Sequence, residues 1–352
     1  MRGVLFPGDR RKPLSLGLAL ALGLAALLLA TGCSGALLPD FRPTLTPSAA
    51  PPAMATATWT PPPSPTATTT ATLTPTPPPT ATPTPTLPPL RVAVRLDPPQ
   101  VVQGRTLVVR VACSRPCALA GSLDGRPLGF ASTDGIAHYA FGGVHAMAAL
   151  KPQAVVLVAS TADGQQMALQ TEVGVLAGEF GIESITLPPA TAKLLDPAIT
   201  QAEEQRVGLA YAQWSPTMQW QGAFTWPLTN TLTSPFGTRR RYNGGALTYH
   251  TGTDIRGATG DPVRACADGV VALAERLQVR GNAVILDHGA GVLSGTYHLD
   301  GIAVAPGQRV AQSDLLGAVG STGLSTGPHL HWELRVGGVA VSALEWTERA
   351  IP

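Results

Sequence analysis

Four residues in the last third of the chain have the types and spacings that a hydrolytic metal site needs. His250 and Asp254 stand four apart in His-Thr-Gly-Thr-Asp, and His329 and His331 stand two apart in His-Leu-His, about seventy-five residues later. Imidazole and carboxylate are ligands that zinc prefers. A catalytic zinc takes three protein ligands and keeps a fourth position for water. Side chains alternate faces along extended backbone, so positions two or four apart point the same way. Each pair is therefore expected to converge on one point, and function turns on whether the two pairs meet.

The elements that must position them read as β-structure. From Trp214 to Pro352 the chain alternates short apolar segments with glycine turns and little helix, which predicts an antiparallel β domain. Upstream, Arg91–Leu96, Leu107–Val111, Ala154–Ala159 and Met167–Val175 alternate as strands, and Asp124-Gly125, Asp134-Gly135 and Asp163-Gly164 punctuate them as turns. Residues 91–180 thus predict a small antiparallel sandwich of immunoglobulin-like type, without a cluster of candidate catalytic residues. Its His138 and His145 are read as structural. Between the two, residues 181–213 form a connecting segment. Asp196-Pro197 signals a helix start there, and Ala198–Ala212 is rich in helix formers, with Gly208 as an interruption. The fold class is all-β.

The N-terminus reads as an address. Arg2, Arg10, Arg11 and Lys12 precede an apolar run from Leu14 to Ala30 and then Thr31-Gly32-Cys33, the layout of an export signal over residues 1–33. Cys33 after a small residue resembles a bacterial lipobox, although Ala30 stands where that pattern has Leu; this implies lipidation of Cys33 and a membrane anchor. Ordinary cleavage and an uncleaved anchor are the alternatives. Residues 34–90 are dominated by Pro, Thr, Ala and Ser, a composition that excludes sheet and helix and predicts an extended polyproline-II stalk. About 50 such residues reach ~150 Å at ~3.1 Å each.

Cysteine usage agrees with export. Cys113 and Cys117, in Cys-Ser-Arg-Pro-Cys, predict a local disulfide. Cys266 is left unpaired among small residues and reads as a buried side chain. Charged residues are 13% of the chain and the net charge is +2, so no nucleic-acid partner is expected.

An ordered series of motifs makes the C-terminal reading specific. Ser234-Pro235-Phe236-Gly237-Thr238-Arg239 is followed by His250-x-x-x-Asp254, Gly260-Asp261-Pro262-Val263, Ala267-Asp268-Gly269-Val270-Val271 and Gly281-Asn282-Ala283-Val284-Ile285. Then come Tyr297-His298-Leu299, Gly307-Gln308-Arg309-Val310, Gly320-Ser321-Thr322-Gly323 and Gly327-Pro328-His329-Leu330-His331-Trp332-Glu333. In order and spacing this resembles the lysostaphin-like (LytM-type) zinc endopeptidases. The resemblance implies a compact antiparallel β fold with a groove, and cleavage of peptide cross-bridges in bacterial peptidoglycan outside the cytoplasmic membrane. It implies Zn²⁺ on His250, Asp254 and His331, with His298 and His329 as catalytic residues flanking the zinc-bound water. Which of the two is base and which stabiliser stays open. One departure concerns an aromatic: the family pattern has Tyr two residues before the histidine at 298, whereas Thr296 stands there and Tyr297 is adjacent.

Other residues in this region carry weaker readings. Arg239 either orients substrate or braces the loop after Phe236, His288 reads as structural, and Glu333 reads as a contact behind His331 without being a ligand. The alternative function is a non-catalytic LytM-like regulator that binds and activates a separate wall hydrolase; such domains typically lack the ligands present here. A D-Ala–D-Ala carboxypeptidase type would need a longer gap than His250-x-x-x-Asp254.

Overall fold

The structure, a computed structural model, describes residues 87–352. The signal, Cys33 and nearly all of the Pro/Thr-rich segment lie outside the described residues. The chain here is mostly β, and no helix among the described residues is long and apolar enough to cross a membrane.

Nine strands build the first layer pair: β1 (Val92–Asp97), β2 (Gln100–Val102), β3 (Thr106–Cys113), β4 (Ala118–Leu123), β5 (Arg126–Leu128), β6 (Ala131–Ser132), β7 (Ala137–Gly143), β8 (Gln153–Ser160) and β9 (Gln166–Leu176). They form two sheets, ordered β1-β3-β7-β6 and β2-β9-β8-β4-β5. Leu107, Val109 and Val111 of one sheet and Val155, Leu157 and Val173 of the other fill the space between them. Their alternation along the strands is the period-two pattern of a half-buried sheet. The Asp-Gly pairs make turns in which Gly125, Gly135 and Gly164 take positive φ. The sandwich is not wholly antiparallel, because the short β2 returns alongside the end of β9 in parallel.

The segment expected to be a simple connector does more. It carries a strand, β10 (Ile182–Ile185), a single turn of helix, α1 (Pro189–Ala192), and a longer helix, α2 (Pro197–Tyr211). The Asp196 side chain accepts from Ala198 N at 2.8 Å and caps α2, with proline in the first turn. The helix runs through Gly208 without a break, since Val207, Ala210 and Tyr211 are buried around it.

The remaining strands are β11 (Leu232–Ser234), β12 (Arg239–Tyr242), β13 (Thr248–Tyr249), β14 (Gly252–Arg256), β15 (Pro262–Arg264), β16 (Gly269–Arg276), β17 (Asn282–Asp287), β18 (Val292–Leu299), β19 (Gly301–Ile302), β20 (Arg309–Val310), β21 (Leu315–Ala318), β22 (His329–Val336) and β23 (Val339–Val341), before a last helix, α3 (Ala343–Glu348). The main sheet runs β11-β14-β22-β18-β17-β16-β20, with β23 beside β22. Val284, Leu286, Val292, Trp332 and Leu334 bury one face in the larger core. On the other face Leu273, Ile285, Leu293 and Tyr297 pack against α2. The outer surface of the sandwich joins the larger core through Val108 and Phe141, whose ring lies 5.8 Å from Trp220 and 5.9 Å from Trp346. Trp346 Nε1 donates to Thr106 Oγ1 at 3.0 Å, so this buried indole is also satisfied.

Candidate metal centre

The two histidine motifs sit on neighbouring strands. In the β14–β22 ladder Asp254 is directly opposite His331, and Arg256 is opposite His329. His329 and His331, two apart on β22, face the same side. His250 reaches the same point by a different route from the one its spacing suggested. It does not share a strand with Asp254: the chain leaves the β12–β13 pairing at Tyr249 and enters the main sheet at Gly252, and His250 lies in the crossing. The crossing needs glycine, because a Cβ at Gly252 would stand 2.5 Å from His331 Nε2.

Three atoms converge. His250 Nε2, His331 Nδ1 and Asp254 Oδ1 are each 3.0 Å from the other two, and all three residues are buried. His250 Nδ1 donates to the Pro235 carbonyl at 3.1 Å, which can only accept. The neutral ring therefore carries its proton there and turns an Nε2 lone pair inward. A lone pair and a carboxylate oxygen at this separation repel unless a cation lies between them. A tetrahedral zinc with bonds of about 2.0–2.2 Å holds its ligands roughly 3.3 Å apart, so the triangle fits after opening slightly.

The charge states of His250 and Asp254 suit ligation. Burial holds the His250 imidazole down to about 4. Burial would raise Asp254, but the flanking His250 and His331 nitrogens outweigh it and hold the carboxyl well below the usual range. For His331, burial is outweighed by Asp254 and Glu333, and its value is raised. Glu333 Oε2 lies 3.7 Å from His331 Nε2 and accepts from Thr251 Oγ1 at 3.1 Å, behind the centre and not in it.

Two more imidazoles border the triangle. His298 lies 4.9 Å from His329 and 5.9 Å from His331, ring to ring. His298 Nδ1 donates to Thr322 O and His329 Nδ1 to Gly327 O, both at 2.8 Å, so each neutral ring keeps an unprotonated Nε2. That of His329 lies 3.7 Å from Asp254 Oδ1. Burial, then His331 and His329, push His298 down to about 3.

Strand alternation would put Tyr297 and His298 on opposite faces. A bulge brings them together. The β17–β18 register shifts between Asn282 and Val284, leaving Ala283 against both Tyr297 and His298, and His298 takes a φ of 61°. Tyr297 pairs with His331 across the β18–β22 ladder and stacks on its ring at 5.5 Å, while its hydroxyl meets that of Tyr211 on α2 at 2.5 Å. The displaced aromatic thus packs behind the ligand, fully buried.

Several contributors escaped the sequence reading. Arg240 NH2 donates to Asp254 Oδ2 at 2.9 Å. Glu203 of α2 accepts from the backbone of Val279 and Arg280, and the Arg280 carbonyl takes the His298 N–H at 2.9 Å. Arg239, by contrast, is a brace: it donates to Ala146 O at 2.8 Å and lies over the Phe180 ring. His138, His145 and His288 are all engaged away from the centre. Cys113 and Cys117 form the disulfide, with His138 Nε2 3.6 Å from Cys117 Sγ. Cys266 is free and buried, and burial pushes its thiol up to about 11.

A groove of about 510 Å³ opens over the triangle. Glu183 and Leu187 from the connecting segment, Thr200 and Glu204 from α2, and Leu324 and Thr326 from the loop before β22 are among its walls.

Two imidazoles and a carboxylate, with two further imidazoles over an open groove, are a donor set that fits a zinc ion. Residues 248–343 match the model of peptidase family M23, and the chain carries an M23 domain of the lysostaphin type, a zinc-dependent family. It is 44% identical over 117 residues to the DD-carboxypeptidase/endopeptidase Mpg of Neisseria meningitidis serogroup B, covering 33% of this chain and 27% of that protein. It is 41% identical over 96 residues to the peptidoglycan DD-endopeptidase ShyA of Vibrio cholerae, covering 27% and 22%. The chain thus spans about a quarter of the length of these curated relatives. A crystal structure of a putative peptidase M23 from Pseudomonas aeruginosa is similar at a TM-score of 0.52 and 26% identity, over 70% of this chain and 94% of that one. Residues 214–352 are fewer than half of the 352, so this likeness extends upstream of the site.

Proposed function

We propose that this protein is a zinc-dependent endopeptidase that hydrolyses peptide cross-links of bacterial peptidoglycan. The observation that carries the reading is the 3.0 Å triangle of His250 Nε2, Asp254 Oδ1 and His331 Nδ1 under an open groove. These three residues would hold the metal. Bound there, zinc supplies Lewis-acid chemistry, acidifying water and polarising a carbonyl. The chain's own part is proton handling and orientation. His298 and His329 each present an unprotonated nitrogen on the groove side of the ligands. Between them they take the proton of the attacking water, deliver it to the leaving amine and brace the tetrahedral oxyanion. Their Nδ1–H bonds to Thr322 and Gly327 fix the tautomer that this needs.

Several features support the substrate. Relatives matched by this domain are named peptidoglycan DD-endopeptidases, and the groove over the centre is open and lined by both polar and apolar side chains. The export signal and stalk would deliver the domain to the wall side of the cytoplasmic membrane, anchored through lipid on Cys33. A regulator that activates another hydrolase has no use for a complete ligand set and two poised imidazoles.

The test is digestion of purified sacculi of several cross-bridge types by the full chain, with mass spectrometry of the products. Release of peptides cut at one bond type names that bond; intact sacculi of every type would refute the hydrolase reading.

A further inference from the structure

Asp254 has two carboxylate oxygens with different surroundings. Oδ1 faces His250 and His331, while Oδ2 accepts from Arg240 NH2 at 2.9 Å. Arg240 is itself buried and held on two further sides: Nε donates to Glu183 Oε2 at 3.2 Å, and NH2 donates to Ser234 Oγ at 2.8 Å. Ser234 Oγ in turn donates to Glu183 Oε1 at 3.0 Å, so one carboxylate grips both. Glu183 is on β10, sixty-five residues before the family match begins, and β10 lies in parallel register with β12, Glu183 against Arg240.

We infer that Glu183 and Arg240 are positioning residues for the metal centre, and that the segment upstream of the M23 match therefore completes the site. This rests on the reading of His250, Asp254 and His331 as zinc ligands. The physical case is that of outer contacts at a metal site. A ligating carboxylate that is free to rotate offers either oxygen or both, and loses orientational entropy on binding. Arg240 removes that freedom by claiming Oδ2, which leaves Oδ1 for the ion. A guanidinium alone would be a mobile cation beside a dication. Glu183 offsets that charge and fixes the plane of the guanidinium through Nε, so its contribution passes through Arg240. Both residues also line the groove, so zinc affinity rather than activity is the readout that isolates their positioning role.

Zinc affinity of the full chain, measured by competition with a chromophoric chelator, tests this directly. Glu183→Gln and Arg240→Ala are each expected to weaken zinc binding roughly 10–100-fold, the range seen when outer contacts are removed. Because Glu183 acts through Arg240, the double variant should bind zinc no more weakly than Arg240→Ala alone. Arg240→Lys, which keeps charge but loses the fork, should recover only part of the loss. Melting curves and circular dichroism confirm that each variant is folded, and Arg240→Lys serves where Arg240→Ala is not. Wild-type affinity in folded Glu183→Gln and Arg240→Lys would overturn the inference, as would losses that simply multiply in the double variant. A wild-type chain that binds no zinc, or a His331→Ala chain that binds it unchanged, would instead overturn the ligand reading beneath it.

Discussion

Asp254 and His331 face each other across the β14–β22 ladder, with Oδ1 3.0 Å from Nδ1. The pairing is fixed by backbone register, so the two side chains cannot be separated without slipping a central strand of the sheet. Tyr297, stacked on the His331 ring from β18, closes the third side. The centre is thus preorganised by strand pairing, and of the three converging residues only His250 comes from a loop.

The two bordering imidazoles should be separable from metal binding. His298→Ala and His329→Ala are each expected to lower kcat on sacculi or a cross-link peptide by about 10²–10⁴-fold, the usual contribution of general acid–base groups. Metal analysis of the same preparations should show wild-type zinc content. Loss of zinc in either variant would move that histidine into the ligand set.

A buried neutral histidine away from the site makes stability pH-dependent. His288 donates from Nδ1 to Asp268 O and accepts from Ser294 at Nε2, and burial lowers it from 6.5 to about 4. Above about 6.5 neither the folded nor the unfolded form carries the proton. Between 6.5 and 4 only the unfolded chain takes it up, so stability is lost as pH falls through that window. Denaturant titrations of wild type and His288→Gln should show the wild-type advantage shrinking by roughly 2–3 kcal/mol between pH 7.5 and 4.5. The comparison cancels protonation elsewhere. An advantage that is flat with pH would contradict the assignment.

The sandwich and the peptidase domain share a core, so a cavity at their junction should destabilise both. Phe141→Ala removes a ring packed against Trp220 and Trp346 and is expected to cost about 3–5 kcal/mol. Chemical denaturation followed by tryptophan emission reads this, since both indoles lie at the junction. A loss below about 1 kcal/mol would show that the junction packs loosely.

Much of this was legible beforehand, for physical reasons. Period-two apolar segments and Asp-Gly turns mark strands such as β3, β8 and β9, and Asp196-Pro197 marks where α2 begins. The His-x-His pair also follows strand alternation. Other features depend on partners that no local pattern names. The crossing that carries His250 is a change of sheet, visible locally only as Gly252. The bulge at His298 breaks the alternation that would have separated it from Tyr297. Arg239 and Arg240 are neighbours with the same charge, and only strand direction decides that one braces Phe180 while the other reaches Asp254. Glu183 gives no signal, because its meaning arises from a parallel pairing formed across fifty-seven residues.

The central claim is that metal on His250, Asp254 and His331 drives hydrolysis, and one experiment addresses it most directly. The clearing of a sacculus suspension by the full chain is followed through chelator stripping and stepwise return of zinc, beside a His331→Ala chain. The account predicts that clearing stops on stripping, returns with about one equivalent of zinc per wild-type chain, and never appears in His331→Ala. Clearing that persists in the stripped protein, or that His331→Ala performs at the wild-type rate, would contradict it.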